Sequence, residues 1–233
     1  MSSEPIIDVI IPAYNEEKSI GHVVNDIPKG LVREIIVVNN ASKDRTAEVA
    51  KLSGATVIDQ PQPGYGNACL KGIEYVASKL KNEQPNIIVF VDGDYSDYPQ
   101  EMYALVEPIL RDDVDMVIGS RALGDLESGS MQPQQIFGNW LATSLIKLFY
   151  NYHFTDLGPF RAIKWSKLLE MEMVDRDFGW TVEMQVKAAK MKFKCMEVPV
   201  SYRKRIGVSK ISGTIRGTVL AGHKILWTIF KLL

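Results

Sequence analysis

Cysteine is scarce in this chain of 233 residues: there are two, Cys69 and Cys195, far apart and in apolar surroundings. They have no metal-ligand spacing, so neither a disulfide framework nor a cysteine metal centre is indicated, and a reduced compartment with a packing role for each is expected. Long hydrophobic runs are missing as well. No segment approaches the roughly 18–20 apolar residues needed to span a bilayer. The opening Met-Ser-Ser-Glu-Pro lacks the basic and apolar regions of a signal peptide, so a cytoplasmic location is expected. The three histidines, His22, His153 and His223, fall in no metal or triad pattern and are expected to be structural. There is no internal repeat, no low-complexity stretch and no linker marking a second independent domain, which leaves one α/β domain over 1–233.

What is present is an ordinary globular composition, 46% hydrophobic and 24% charged, with ample material for a core. The net charge of −1 hides an asymmetry: from Lys190 to Leu233 ten Lys or Arg face one acid, Glu197, leaving residues 1–189 at −10. A basic, apolar tail on an acidic body points to a polyphosphate ligand or an anionic surface near the C-terminus.

The centre of the pattern is Ile87–Pro99. Five apolar, mostly β-branched residues, Ile87 to Val91, read as a strand buried on both faces of a parallel sheet. Asp92, Asp94 and Asp97 follow at its carboxyl end, the edge at which open α/β sheets bind ligands. Two carboxylates one residue apart, with Gly93 between them, suit a hard divalent cation that also takes phosphate oxygens. Two further Asp-x-Asp pairs, Asp113/Asp115 and Asp175/Asp177, follow no buried strand and are expected to be solvated turn residues.

Around this centre, strands are expected at Ile6–Ile11, Glu34–Val38, Ala55–Ile58, Met116–Gly119 and Lys194–Val200. Amphipathic helices between them carry Ile20, Val23, Val24 and Ile27, then Cys69, Ile73, Val76, Ala77 and Leu80, then Met102, Leu105, Val106 and Ile109. Strands alternating with helices indicate a doubly wound sheet. The later helices fit Ile136–Tyr150, Trp165–Met173, Trp180–Lys190 and the last twenty residues, with Ile215, Val219, Ile225, Leu226, Ile229 and Phe230 on one apolar face. Gly64-x-Gly66-x-x-Cys69 lacks the last glycine of a dinucleotide fingerprint and follows the third strand, so it is read as a helix-start turn or a loop folding over a nucleotide.

Four stretches together resemble glycosyltransferase family 2, most closely its dolichyl-phosphate mannose or glucose synthase-like branch: Ile11–Glu17, Val37–Thr46, Val91–Asp94 and the basic Arg203–Lys210. One departure is Asn39-Asn40, where the family usually has two aspartates; amides offer neutral donors and acceptors, which leaves the nucleotide base open.

The resemblance implies a GT-A-type, mainly parallel sheet with a C-terminal helical, acceptor-side extension, residues 1–121 binding the nucleotide sugar and 122–233 the acceptor. It implies inverting transfer of a hexose from a UDP- or GDP-sugar to a polyprenyl or dolichyl phosphate at the cytosolic membrane face, with Mg2+ or Mn2+. Asp94 would hold the metal, Asp92 the ribose or the metal's surroundings, and Ser96 would complete the coordination. Pro12, Ala13, Tyr14 and Glu16 would cradle the nucleoside beside Asn39, Asn40 and Gly93. Arg121 and Arg161 are candidates for an acceptor phosphate. Asp156 and Glu183 are candidate bases for a hydroxyl acceptor, and Asp156 is also a possible salt-bridge partner of Arg161. Arg205 and Lys210 would close over the diphosphate, or else form a solvated charge run. An anionic membrane surface is an expected partner, bound by the tail from about Lys204; a homo-oligomer is possible, and nucleic acid is not expected. The alternatives are a family 2 enzyme using a hydroxyl acceptor in glycan synthesis, and a non-catalytic nucleotide-sugar-binding scaffold.

Overall fold

The computed structural model describes residues 5–207 and 215–233. Seven strands form one sheet: β1 (Ile7–Ala13), β2 (Glu34–Asn39), β3 (Thr56–Asp59), β4 (Ile87–Phe90), β5 (Met116–Ser120), β6 (Arg161–Lys164) and β7 (Cys195–Pro199). Their order is β3-β2-β1-β4-β6-β5-β7. All neighbours are parallel except β6, which runs antiparallel to both β4 and β5. The helices are α1 (Ile20–Asp26), α2 (Thr46–Leu52), α3 (Tyr65–Ala77), α4 (Met102–Arg111), α5 (Pro133–Tyr150), α6 (Trp165–Glu170), α7 (Trp180–Lys190) and α8 (Ile215–Lys231).

The continuous apolar strands are explained by cover on both faces. Successive side chains of a strand point to opposite sides. Ile7, Val9, Ile11 and Ala13 of β1 therefore join Ile20, Val23 and Val24 of α1 and Leu105 and Val106 of α4. Ile10 turns the other way, to Ala68, Cys69 and Val76 of α3 and Trp180 and Val182 of α7. Both cysteines are free, Cys69 in this core and Cys195 partly buried.

Asp8, the single polar break in β1, is fully buried. Its carboxylate takes Arg33 Nε at 2.9 Å and Lys79 Nζ at 2.8 Å, and Lys79 also pairs with Glu34. Removing one partner of a buried ion network strands the others. Asp8→Ala is expected to cost about 3 kcal/mol, roughly 6–12 °C in melting temperature for a chain of this size. A thermal unfolding curve superposing on that of the parent would show that Arg33 and Lys79 find solvent instead.

The strand β6 lies where no strand is expected. On α3, Ala77 and Leu80 are expected to face inward but face outward, Leu80 being 67% exposed just past the helix end. Helix α5 turns Ala142 and Ile146 to the core and leaves Phe137 and Trp140 each 60% exposed. In α8, Ile225 and Ile229 pack on the body, so part of the expected free apolar face is a packing face. Lys210 lies outside the described residues, as do the side chains of Ile215 and Val219.

Candidate active site

The carboxyl ends of β1, β2, β4 and β5 converge on one edge of the sheet. The loops after β1, β2 and β4 each contain a non-glycine residue in the left-handed region, Asn15 (φ 55°), Ala41 (φ 58°) and Tyr95 (φ 65°). Such residues cost of order 1–2 kcal/mol and persist only where the surroundings hold them. For Asn15 and Ala41 the holding is mutual. Asn15 N–H donates to Ser42 Oγ at 3.0 Å, Lys43 N–H to Asn15 Oδ1 at 2.8 Å, and Glu16 N–H to Thr46 Oγ1 at 2.7 Å. Tyr95 is clamped by its hydroxyl on Asp26 at 2.6 Å, by Arg203 Nε on its carbonyl at 2.7 Å, and by the Arg203 guanidinium 3.4 Å from its ring centre.

That clamp fixes the Asp92-Gly93-Asp94 turn. Ser96 donates to Asp94 Oδ1 through both its N–H at 2.9 Å and its hydroxyl at 2.5 Å. Ser96 is buried, so it positions the carboxylate from behind and does not face the cleft. Asp94 Oδ2 takes Arg205 Nη1 at 2.8 Å. Asp92, half-buried, accepts the Tyr65 hydroxyl at 3.0 Å. Burial, reinforced by the neighbouring Asp94, pushes the Asp92 carboxyl up to about 7. Asp97 is not a third carboxylate of the cleft. It is 1% exposed, lines neither cavity, and burial pushes its carboxyl far upward.

Two cavities meet here. The first, of about 400 Å³, is lined by Pro12, Ala13, Tyr14, Glu16, Asn40, Gly64, Asp92, Gly93, Asp94, Asp177, Phe178 and Arg205 among others. The second, of about 290 Å³, is lined by Arg121, Gln135, Asn139, Leu157, Thr181, Tyr202 and, from α8, Gly222 and Ile225. Tyr65, Asp92, Phe178 and Arg205 line both. The expected nucleoside residues are thus brought together, apart from Asn39, whose amide donates to Asp59 at 2.8 Å. Asn40 lines the cavity, but its side chain is already engaged. Its amide donates to the carbonyls of Gln60 and Gln62, and its Oδ1 accepts Gly64 N–H at 2.9 Å. The asparagine there ties down the glycine loop.

That loop is in turn packed under the segment before α7. A Cβ on Gly66 would stand 2.1 Å from the carbonyl oxygen of Asp175, and Gly64 has φ +137°. Gly66→Ala is expected to displace the strap carrying Asp177 and Phe178 and to weaken nucleotide binding about tenfold, since overpacking of this kind costs about 1–3 kcal/mol. Titration calorimetry with UDP and GDP checks it. Unchanged affinity would show the strap free to move.

Around the second cavity the two candidate arginines separate. Arg121 lines the second cavity, and its partner is Asp156. The carboxylate of Asp156 accepts Arg121 N–H at 2.8 Å, Nε at 2.8 Å and Nη2 at 2.7 Å. Glu197, the one acid of the basic tail, receives the N–H groups of Thr155 and Asp156 and so sets that carboxylate in place. Arg161 is instead fully buried at the start of β6. Its guanidinium is occupied by the carbonyls of Leu157, Gly158 and Thr181, and desolvation pulls its pKa down to about 10. It is a strut beneath the site, with Asp156 paired elsewhere. Glu183 is likewise buried, on the N–H groups of Val174 and Asp175 and on Lys187 at 2.7 Å, away from both cavities.

Asp177, Phe178, Tyr65 and Tyr202 line the site without having been expected there. The second Asp-x-Asp pair was the available signal for Asp177, whose carboxyl burial and Asp175 push upward. A lone tyrosine or phenylalanine leaves no periodic trace.

Among the described residues no group of three His, Cys, Asp or Glu side chains is placed to hold a metal. The donor set at Asp92 and Asp94 is nonetheless hard oxygen. Asp94 already neutralises a cation there, and Mg2+ commonly binds through one or two carboxylates and completes its shell from substrate phosphates. The residues fit a divalent ion of that kind.

The profile of the family described as Glycosyl transferase family 2 matches residues 8–174. An uncharacterised glycosyltransferase of Mycobacterium tuberculosis is 33% identical over 217 residues, covering 92% of this chain and 94% of the relative. A dolichyl-phosphate hexose transferase of Haloferax volcanii is 30% identical over 215 residues, 91% of this chain and 89% of its own. Glucosyl-3-phosphoglycerate synthase of Mycobacterium tuberculosis, solved with Mn2+, uridine diphosphate and phosphoglyceric acid, superposes with a TM-score of 0.77. It covers 98% of this chain and 78% of its own at 21% identity, which bears out the GT-A-type fold.

Proposed function

Because the chain belongs to glycosyl transferase family 2 and is a glycosyltransferase, we propose that it moves a hexose from a UDP- or GDP-sugar to a polyprenyl or dolichyl phosphate, with inversion, at the cytosolic face of a membrane. The carrying observation is the second cavity. It joins the first at Asp92, presents Arg121, and is walled by α5 and α8, and the same turns of α5 that line it expose Ile136, Phe137 and Trp140. A guanidinium in the cavity and exposed apolar side chains on the helix beside it match a lipid phosphate. The matching dolichyl-phosphate hexose transferase supports this acceptor.

In this reading Pro12 to Glu16 and Phe178 enclose the nucleoside, and Asp94 and Asp92 face the diphosphate. A divalent cation bound at Asp94 would offset the charge that develops on the departing diphosphate. Arg205, within reach of Asp94 and of both cavities, would follow that charge. Arg121, held charged and oriented by Asp156, fixes the acceptor phosphate, whose oxygen is ionised at neutral pH and needs no strong base. With three bonds to Arg121, Asp156 is spent as an orienting group and is not offered to a hydroxyl. No helix of the described residues is long and apolar enough to cross a membrane, and attachment is taken to be peripheral.

The second reading, a hydroxyl acceptor, is favoured by one observation. Asp92 stands where the cavities meet with its carboxyl pushed up to about 7, the range of a general base. Incubation with UDP- and GDP-sugars and Mn2+, offering a short-chain polyprenyl phosphate or a simple sugar, separates them. Product on the lipid phosphate alone is expected; product on the sugar alone overturns the acceptor assignment.

A further inference from the structure

Helix α8 has two characters. Ile225 and Ile229 enter the core, and the Tyr150 hydroxyl donates to the Ile229 carbonyl at 2.6 Å. The other side is uncovered: Trp227 is 57% and Phe230 49% exposed. Phe149, at the end of α5, meets Phe230 edge-on at 5.5 Å, which joins the ends of α5 and α8 into one apolar band.

Beside the band lies a third cavity, of about 250 Å³, between α8 and residues 174–176. Its two carboxylates are already spent. Asp175 takes Lys224 at 2.9 Å and Asp177 N–H at 2.8 Å, and Glu183 takes Lys187 and two backbone N–H groups. The remaining cations, Arg176 and Lys231, are both exposed, and no carboxylate among the described residues pairs with either. The notch therefore carries two uncommitted positive charges next to exposed aromatic side chains.

We propose that this face docks on an anionic bilayer, with a phospholipid phosphate seated between Arg176 and Lys231 while Trp227 and Phe230 enter the headgroup layer. The proposal rests on the lipid-phosphate reading of the acceptor and locates the surface that would serve it. A soluble anion would use the two cations and leave the aromatic pair without a role. Tryptophan with lysine on a helix that lies flat is the composition of an interfacial anchor. The position is also apt: α8 contributes Gly222 and Ile225 to the second cavity, so docking sets a wall of the acceptor cavity against the lipid.

Sedimentation of the full chain with vesicles tests it. Binding is expected to phosphatidylcholine vesicles containing phosphatidylglycerol, to weaken at high salt, and to be slight with phosphatidylcholine alone. Each cation near an anionic surface is worth about fivefold in partition, so neutralising both in Arg176→Gln/Lys231→Gln should cost about 25-fold. Trp227→Ser/Phe230→Ser should also release the protein. Both variants should retain transfer to a water-soluble short-chain polyprenyl phosphate, which shows them folded. Undiminished vesicle binding in both variants overturns the proposal. So does binding of inorganic phosphate by a wild type that ignores vesicles, which would make the notch a soluble-anion site. Vesicle binding that is lost in variants whose thermal unfolding matches the wild type, in a protein with no transfer to any polyprenyl phosphate, upholds the docking face and overturns the acceptor reading alone.

Discussion

Asp94→Asn is expected to lower turnover by roughly 10³-fold, about 4 kcal/mol of lost transition-state stabilisation, with the melting temperature nearly unchanged. The amide oxygen of asparagine can still accept the N–H and hydroxyl of Ser96, so the turn survives. What goes is the charge that now holds Arg205 at 2.8 Å and would face a divalent ion and the diphosphate. Initial rates at saturating Mn2+, with calorimetric titration of Mn2+ in the presence of the nucleotide, separate loss of metal from loss of fold. Near-normal turnover with metal present would remove Asp94 from the centre of the site.

Arg121→Ala is expected to act on the other substrate, raising the acceptor KM or lowering kcat by roughly 10²-fold while the nucleotide Kd barely moves. Arg121 lines the second cavity and not the first. The alanine variant also strands the buried Asp156 carboxylate, a penalty of about 3–5 kcal/mol, so its stability is to be measured beside its kinetics. Arg121→Ala/Asp156→Ala, which removes both charges, isolates the kinetic effect. Arg121→Lys should restore little, because a lysine cannot make the two-pronged contact to Asp156. A large loss of nucleotide affinity would move Arg121 to the donor side.

The parts that were legible in sequence are those written as runs and periods. Ile87–Val91 marked a doubly covered strand and placed Asp92 and Asp94 at its end, and the stripes of α1 and α4 fell as their spacing demanded. Strand β6 left no such mark. Arg161-Ala162-Ile163-Lys164 is four residues long and begins and ends on a cation, and only pairing with β4 and β5, more than forty residues away in sequence, makes it a strand. The same distance hid the arginine roles: Arg121 and Asp156 meet across 35 residues. The arginine nearest Asp156 in sequence, Arg161, turned to backbone carbonyls. Asn40 was expected beside the nucleoside; it lines the cavity, but its amide is used on its own loop, which only the fold of residues 60–64 reveals.

The placement of β6 also governs the order in which the molecule can be finished. The ribosome delivers β4 and β5 early, yet the two never touch, and the gap between them is filled only once residues 161–164 have emerged. Until then β4 has an open margin of unpaired backbone with apolar side chains on both sides, the kind of margin that recruits foreign strands. A fragment ending at residue 121 would carry the loops after β1 and β2 and Asp94 but would be left with that margin permanently. The two halves of the chain share one sheet, so the first half, with Asp92 and Asp94 at the end of β4, depends for the pairing of that strand on a segment from the second.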